Sequence, residues 1–355
     1  MYQISFQTTM CASKTVLRDI MKKKVCIIYT GGTIGMKKTP HGYDSEPGYL
    51  QDYLLSLPEI THPEIPELHF IEYDPLLDSV NIAPENWNAL ADTIVEHYDD
   101  FDGFVVLHGT DTMAFTASAL SFMLEDLGKP VILTGSQIPV SELRSDGVTN
   151  LLGAITIAAH YSIPEVCLYF DKYLLRGNRS KKIDSNGFGA FKAPNFSALA
   201  KVGVNIDVRS HLLLPNKNKP LKTHAMKPCN IATVRLYPGI SESILKHVVN
   251  QDLQALIIET YGTGNVPSNN EAVINLIKQT QAQNIIAINK SQCIKGKVNM
   301  DAYATGEIMR TSGMLSASGM TIEAVITKLY YLLSRYSDAD LIRELFVKNL
   351  RGERQ

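Results

Sequence analysis

The chain has 355 residues, 45% of them hydrophobic and 20% charged, which can bury a substantial core and exceeds an ordinary single domain, so two domains are expected. Its 34 basic and 36 acidic residues leave a formal net charge of -2, too little to draw the protein broadly onto nucleic acid. No apolar run approaches the roughly 20 residues that span a bilayer, so neither nucleic acid nor membrane is expected as a partner.

Residues 1–20 are mixed and polar, without the basic start and unbroken apolar stretch of a secretory leader. Residues 1–22 read as a tail, or Met21 is the true start, because Met21-Lys22-Lys23-Lys24 directly precedes the first apolar run. Against a mitochondrial-type presequence, Lys14 and Arg18 are the only bases in residues 1–20, although Asp19 is the only acid. Strand-like runs then alternate with helix-like periodic segments, the pattern of a mostly parallel sheet covered by helices. Strands are expected at 25–29, 104–107, 131–133 and 166–170. Trp87, Leu90, Ile94 and Tyr98 define one helix, with Pro84 near its first turn. Phe115, Ala119, Phe122 and Met123 define another, with Gly128 as its expected stop.

From 210 to 228 the periodicity lapses, and Pro215, Pro220 and Pro228 stand among lysines and asparagines, the composition of a linker. The alternation resumes with strands at 231–236, 255–258 and 285–288 and a helix carrying Ile244, Leu245, Val248 and Val249. Two closing helices carry Ile322, Val325, Ile326, Leu329 and Leu333, then Leu341, Ile342, Leu345 and Phe346. The fold class expected is α/β: a larger N-terminal domain over 23–209 and a smaller C-terminal one over 229–355, joined by the linker 210–228.

Two glycine turns follow strands: Thr30-Gly31-Gly32-Thr33 and His108-Gly109-Thr110-Asp111-Thr112. Loops at strand carboxyl ends gather in one crevice, where an open α/β sheet binds its ligand. Either turn alone reads as a tight connection, since glycine tolerates positive φ. The glycine spacing is not G-x-G-x-x-G and no G-x-x-x-x-G-K-[ST] loop occurs, so a nucleotide cofactor is not indicated. Thr33 and Thr110 occupy corresponding places after their strands, and Asp111 adds a carboxylate. A threonine hydroxyl is a poor nucleophile until a neighbour removes its proton, so a lysine held by a carboxylate is the group to seek. Arg176-Gly177-Asn178-Arg179-Ser180-Lys181-Lys182 offers Lys181 and Lys182, and composition does not choose between them. His108 with Asp111 lacks further ligands at metal spacing, so His108 reads as structural and no metal is expected. Five cysteines, with no C-x-x-C pair, suggest neither disulfides nor zinc and fit a reducing cytosol.

The stretches Tyr29 to Met36 and Leu107 to Met113 resemble the two signature motifs of the bacterial asparaginase and glutaminase family, and within it the cytosolic type I group. Gly135-Ser136-Gln137-Ile138-Pro139, Glu142-Leu143-Arg144-Ser145-Asp146-Gly147, Arg176-Gly177-Asn178-Arg179, Lys297-Val298-Asn299-Met300 and Tyr303-Ala304-Thr305-Gly306 extend the resemblance over roughly 24 to 353. It implies an L-asparaginase that releases ammonia and L-aspartate from L-asparagine, with minor glutaminase activity, no cofactor and no metal. By the same resemblance Thr33 is the nucleophile, assisted by Tyr43 on the mobile loop after the first strand. Thr110, Lys182 and Asp111 form the second catalytic set, Lys182 drawing the proton through Thr110 and Asp111 orienting the lysine. The roles of the two threonines are partly exchangeable, and ammonia leaves before water releases aspartate from a threonine acyl-enzyme.

Substrate binding is implied for Thr33, Asp78, Ser79, Thr110 and Asp111, although Asp78 and Ser79 on sequence alone are ordinary capping or turn residues. In Tyr261-Gly262-Thr263-Gly264-Asn265, Asn265 would reach a neighbouring subunit's site, implying a homo-oligomer, a dimer of dimers in the family's usual form. Some type I enzymes hold regulatory asparagine with an arginine before the Tyr-Gly segment and a Thr-Gln-Cys sequence. Here Glu259 and Ser291-Gln292-Cys293 occupy those places, and an acid in place of a guanidinium reverses the charge, so asparagine activation of that style is not expected. Two other readings are an ammonia-supplying amidotransferase subunit, for which no substantial N-terminal accessory domain is seen, and a non-catalytic amino-acid sensor, which would not need a second threonine and its lysine.

Overall fold

The computed structural model describes residues 22–40, 42–249, 252–300 and 309–354. The tail at 1–21, with the choice between Met1 and Met21, and the Tyr303-Ala304-Thr305-Gly306 motif lie outside the described residues. Strand β1 (Lys24–Tyr29) is buried from Val25 onwards on both faces. A strand without a polar face belongs inside a parallel sheet covered on both sides. After it come a hairpin of β2 (Met36–Thr39) and β3 (Gly42–Ser45), helix α1 (Tyr49–Leu55), β4 (Glu67–Glu72), α2 (Pro84–Glu96), β5 (Gly103–Leu107) and α3 (Met113–Met123). The first domain continues through β6 (Val131–Thr134), α4 (Gly147–His160), β7 (Val166–Phe170), β8 (Tyr173–Arg176), a small pair of β9 (Lys181–Lys182) and β10 (Phe191–Lys192), and β11 (Ala200–Val202) with β12 (Ile206–Val208).

Its main sheet runs in the order β12-β11-β8-β7-β6-β5-β1-β4. From β4 to β7 the strands are parallel, and β8, β11 and β12 close the far side antiparallel. The parallel register aligns Glu72, Tyr29, Leu107 and Thr134, so the turns leaving β4, β1, β5 and β6 issue from one edge. Gly128 is not the stop of α3. That helix ends at Met123, because Glu125 has left the helical path to exchange two backbone hydrogen bonds with Lys222, at 2.8 and 3.0 Å.

The second domain forms a parallel sheet of β13 (Ile231–Arg235), β14 (Ala255–Thr260), β15 (Ile286–Ser291) and β16 (Leu315–Ser316). Helices α5 (Glu242–Val248) and α6 (Glu271–Ala282) lie between the strands, and α7 (Ile322–Arg335) and α8 (Ala339–Val347) follow. The α/β class, with a large first sheet and a smaller parallel second one, is as the sequence pattern implies.

Alternation along β1 sends Val25, Ile27 and Tyr29 into a core with α1 and α4, and Cys26 and Ile28 into a core on the opposite face. That opposite core is continuous with the second domain: it holds Phe104 and Val106 of the first sheet, Phe122 of α3, Val325 and Leu329 of α7, and Ile257 and Ile288 of the second sheet. Phe122 and Tyr331 stack at 6.1 Å, and Trp87 meets Tyr330 edge-on at 6.0 Å. Helix α7 starts cleanly because the Thr321 hydroxyl accepts from the Ala324 amide at 3.2 Å. A shared core predicts one cooperative transition. Urea unfolding followed by fluorescence of Trp87, the single tryptophan, should coincide with that followed by far-UV circular dichroism. Phe122→Ala should lower both midpoints together, by about 3–5 kcal/mol of stability; separate transitions would contradict the shared core.

Candidate active site

The turns leaving β1, β4 and β5 meet backbone to backbone. Gly32 has φ +97°, and a Cβ there would overlap the Gly109 amide; Gly31 has φ +123°, and a Cβ there would overlap the Leu77 carbonyl. A Cβ on Gly109 would lie 2.5 Å from Ser79 Oγ. Glycine is required because any side chain would hold these turns apart. Two hydrogen bonds tie the same segments: the Leu77 amide donates to the Thr30 carbonyl at 2.7 Å, and the Thr112 hydroxyl to the Ser79 carbonyl at 2.7 Å. Thr33 opens a short 3-10 turn over Thr33–Gly35 and is half-buried.

On the other side of this junction Lys182 Nζ donates to Thr110 Oγ1 at 2.8 Å and to Asp111 Oδ1 at 2.8 Å. Lys181, its neighbour, turns away and pairs with Glu323 of α7 at 2.9 Å, which decides between the two lysines. The Thr110 hydroxyl donates to Gln137 Oε1 at 3.3 Å, and Gln137 Nε2 donates to the Gly187 carbonyl at 3.1 Å. Asp146 fixes the Gln137 turn by accepting from the amides of Gln137 and Ile138, at 3.0 and 3.2 Å. Gln137 is a further candidate that composition and spacing did not single out, although its Gly135-Ser136-Gln137 turn follows β6 as the two threonine turns follow β1 and β5.

His108 is buried and spoken for on both ring nitrogens. Its Nδ1 meets the Gly109 carbonyl at 2.7 Å and its Nε2 the Thr116 hydroxyl at 2.9 Å, while Trp87 Nε1 donates to Thr116 at 3.1 Å. The tautomer that fits has the proton on Nδ1, so the ring braces the Gly109 turn as a neutral group. Burial pushes its pKa down to about 4.

A family model described as Asparaginase, N-terminal matches residues 24–214, and one described as Glutaminase/Asparaginase C-terminal domain matches 230–346. The chain belongs to the asparaginase family. It is 47% identical to L-asparaginase 1 of Escherichia coli strain K12 over 94% of this chain and 98% of that one. The crystal structure of L-asparaginase I from Vibrio cholerae superimposes with a TM-score of 0.87 at 43% identity, covering 94% of this chain and 99% of that one. The thermostable L-asparaginase from Thermococcus kodakarensis gives 0.85 at 31% identity, covering 94% and 99%. Among the described residues, no helix is long and apolar enough to cross a membrane.

The remaining residues that the family resemblance singles out are spread more widely. Tyr43, on the exposed β2–β3 hairpin, donates to Glu142 Oε1 at 2.9 Å, and that hydrogen bond raises the phenol's pKa. Ser79 is buried under Gly109, whereas Asp78 is exposed and accepts from the Val80 amide at 3.2 Å as a cap. Asn265 lies after β14, where its amide donates to the Tyr261 carbonyl at 2.8 Å. Around Glu259 the polar groups satisfy one another: Arg235 pairs with Glu259 at 3.5 Å, and Gln292 Nε2 donates to the carbonyls of Leu236 and Glu259 at 2.6 and 2.8 Å. Ser291 donates to the Gly262 carbonyl and accepts from the Cys293 amide at 3.0 Å.

The depressed pKa of His108 has a stability consequence with a definite sign. Above its ordinary value of 6.5 both states are neutral; below it the unfolded chain takes up a proton that the folded chain refuses until about 4. Stability from this residue is therefore complete above pH 6.5 and is lost between 6.5 and 4, by on the order of 3 kcal/mol. Urea midpoints measured from pH 7 to 4 should fall less steeply in His108→Gln than in the parent chain; equal slopes would contradict the assignment.

Proposed function

We propose that the chain hydrolyses the side-chain amide of L-asparagine to L-aspartate and ammonia, with Thr33 as nucleophile and Thr110, Asp111 and Lys182 handling its protons. The observation that carries this reading is Lys182 bonded at once to Thr110 and Asp111, on a turn packed directly against the one that bears Thr33. A sensor would need neither a lysine on the second hydroxyl nor two apposed threonines.

In this reading Thr33 Oγ attacks the amide carbon as its proton passes to a base, and the departing nitrogen takes a proton and leaves as ammonia. Lys182, bonded to Thr110 Oγ1, would draw that proton through the Thr110 hydroxyl, while the Asp111 carboxylate holds its Nζ in place. Amides of the glycine turns would bind the oxyanion, and the same set would activate the water that frees aspartate from the ester. Tyr43 would come to Thr33 by exchanging its Glu142 bond for the closed position of its hairpin. The α-amino and α-carboxylate groups of the substrate would be met by Asp111, Asp78 and Ser79. Asn265 would complete the site of a neighbouring subunit in a homo-oligomer, a dimer of dimers, and the segment 210–228 would join the two domains. A reducing, cytosolic compartment fits the free thiols of Cys26, Cys167, Cys229 and Cys293.

Steady-state ammonia release should be hyperbolic in asparagine, and kcat/KM for glutamine should be lower by about tenfold or more, since one extra methylene displaces the reacting carbon. A sigmoidal curve would instead point to a working effector site near Glu259. Thr33→Ala and Lys182→Met should each lower kcat/KM by roughly a thousandfold or more with the circular dichroism spectrum unchanged. Turnover by Thr33→Ala close to that of the parent would remove the nucleophile assignment.

A further inference from the structure

The turn that leads into Lys182 is not secured by the first domain alone. Gly177–Arg179, the 3-10 turn between β8 and β9, is pressed on one side against α3: a Cβ at Gly177 would lie 2.8 Å from the Ala117 carbonyl and 2.9 Å from that of Val166. Its other side presents three buried donors, Arg176, Asn178 and Arg179. Their partners include a hook that follows α8. Asn178 Nδ2 donates to the Arg351 carbonyl at 2.9 Å, Arg179 Nε to the Gly352 carbonyl at 2.6 Å, and Arg176 Nη1 to the same carbonyl at 3.4 Å. Gly352 adopts φ +78°, and a Cβ there would lie 2.5 Å from Arg176 Nη1, so the hook seats only with glycine.

The hook is itself folded around a charge. Glu353, fully buried, accepts from the Leu350 amide at 3.0 Å and the Arg351 amide at 2.7 Å and pairs with Lys328 of α7, which is equally buried and also donates to the Lys348 carbonyl at 2.6 Å. Two such charges are stable out of water only together. Burial, with Arg176 beside it, pushes the Arg179 pKa down to about 10, and the Glu353 charge of the hook acts against that shift.

We propose that residues 350–353 are a positioning device for Lys182, holding the turn from which that lysine reaches Thr110; this rests on the proton-handling role given to Lys182 above. Arg179 stands three residues before Lys182, and α3, on which the turn is pressed, begins two residues after Asp111. Both ends of the Lys182–Thr110 bond are thus referred to one helix, and the hook keeps the lysine end against it. Lys181, paired with Glu323 of α7, adds a second tie from the same side.

The test compares Arg179→Met, Arg179→Lys and Gly352→Ala with Ile342→Ala, a buried change in α8 away from the hook that provides a matched loss of melting temperature. Activity is taken per folded molecule, below each variant's transition. Arg179→Met should lower kcat by about tenfold or more with KM for asparagine within about twofold, and Arg179→Lys should recover kcat to within about threefold. Ile342→Ala should keep its kcat. Arg179→Met with the kcat of Ile342→Ala, or no recovery in Arg179→Lys, overturns the proposal and leaves a purely stabilising hook. Should Arg179→Met fail to fold, Gly352→Ala decides: a reduced kcat at unchanged KM supports the hook, and a parental kcat overturns it. Lys182→Met measured beside them separates the two readings, because activity retained there overturns the role of the lysine itself, whereas activity lost there with full kcat in the hook variants overturns only the hook.

Discussion

The approach of Gly32 to Gly109, close enough that neither turn has room for a side chain between them, is the constraint on which the site depends. Parallel register brings Tyr29 and Leu107 level, but level strands alone leave their turns about one strand spacing apart, roughly 4.8 Å. Glycine at both positions lets the turns fold inward until backbone meets backbone. The threonines just beyond, Thr33 and Thr110, are then carried by two loops that act as one. Ser79, buried under Gly109, and Leu77, bonded to Thr30, draw the turn after β4 into the same junction. His108 braces it from within, through Thr116 and Trp87, as a neutral ring.

Much of this was legible in the sequence because it is local. Strands buried on both faces read as continuous apolar runs, and β1, β5, β6 and β7 lie within a residue of where those runs fall. The threonine turns follow them directly. Less legible were β8, β11 and β12, which are only three or four residues long and gain their place by antiparallel pairing rather than by a periodic signal. Helix α1 and strand β4 were missed too: the first is a short helix with only Leu50 and Leu54 buried, and the second lies at the sheet edge with an exposed Glu67. The premature end of α3 was beyond local reading, because a backbone bridge to Lys222, far along the chain, takes Glu125 out of the helix.

The choice between Lys181 and Lys182 shows the same limit at a single residue. Adjacent and identical in type, they differ because successive side chains on a strand point to opposite faces. One faces Thr110 and Asp111 and the other faces Glu323 of the second domain, so pleat direction settles what composition left open. Gln137 was hidden for a related reason: its meaning comes from the side chain of Thr110, which only the alignment of β5 with β6 brings near.

The site has a firm side and a loose one, and the difference follows from what surrounds each. Thr110 stands on the turn that opens into α3, a helix buried along almost its whole length, and Lys182 follows the Gly177–Arg179 turn pressed against that helix, where the buried arginines find acceptors. Tyr43 stands on a two-stranded hairpin outside the main sheet, about half exposed, and its hydroxyl is held by one side chain, Glu142. The proton transfer proposed between Thr110 and Lys182 would tolerate little error in distance, which suits that pair to the rigid side. A substrate must enter and its product must leave, and that requires one wall whose few contacts can be broken. Under the proposed mechanism, packing therefore divides the labour: the core that joins the two domains backs the pair assigned to proton handling, and the exposed hairpin is the wall assigned to admit the ligand.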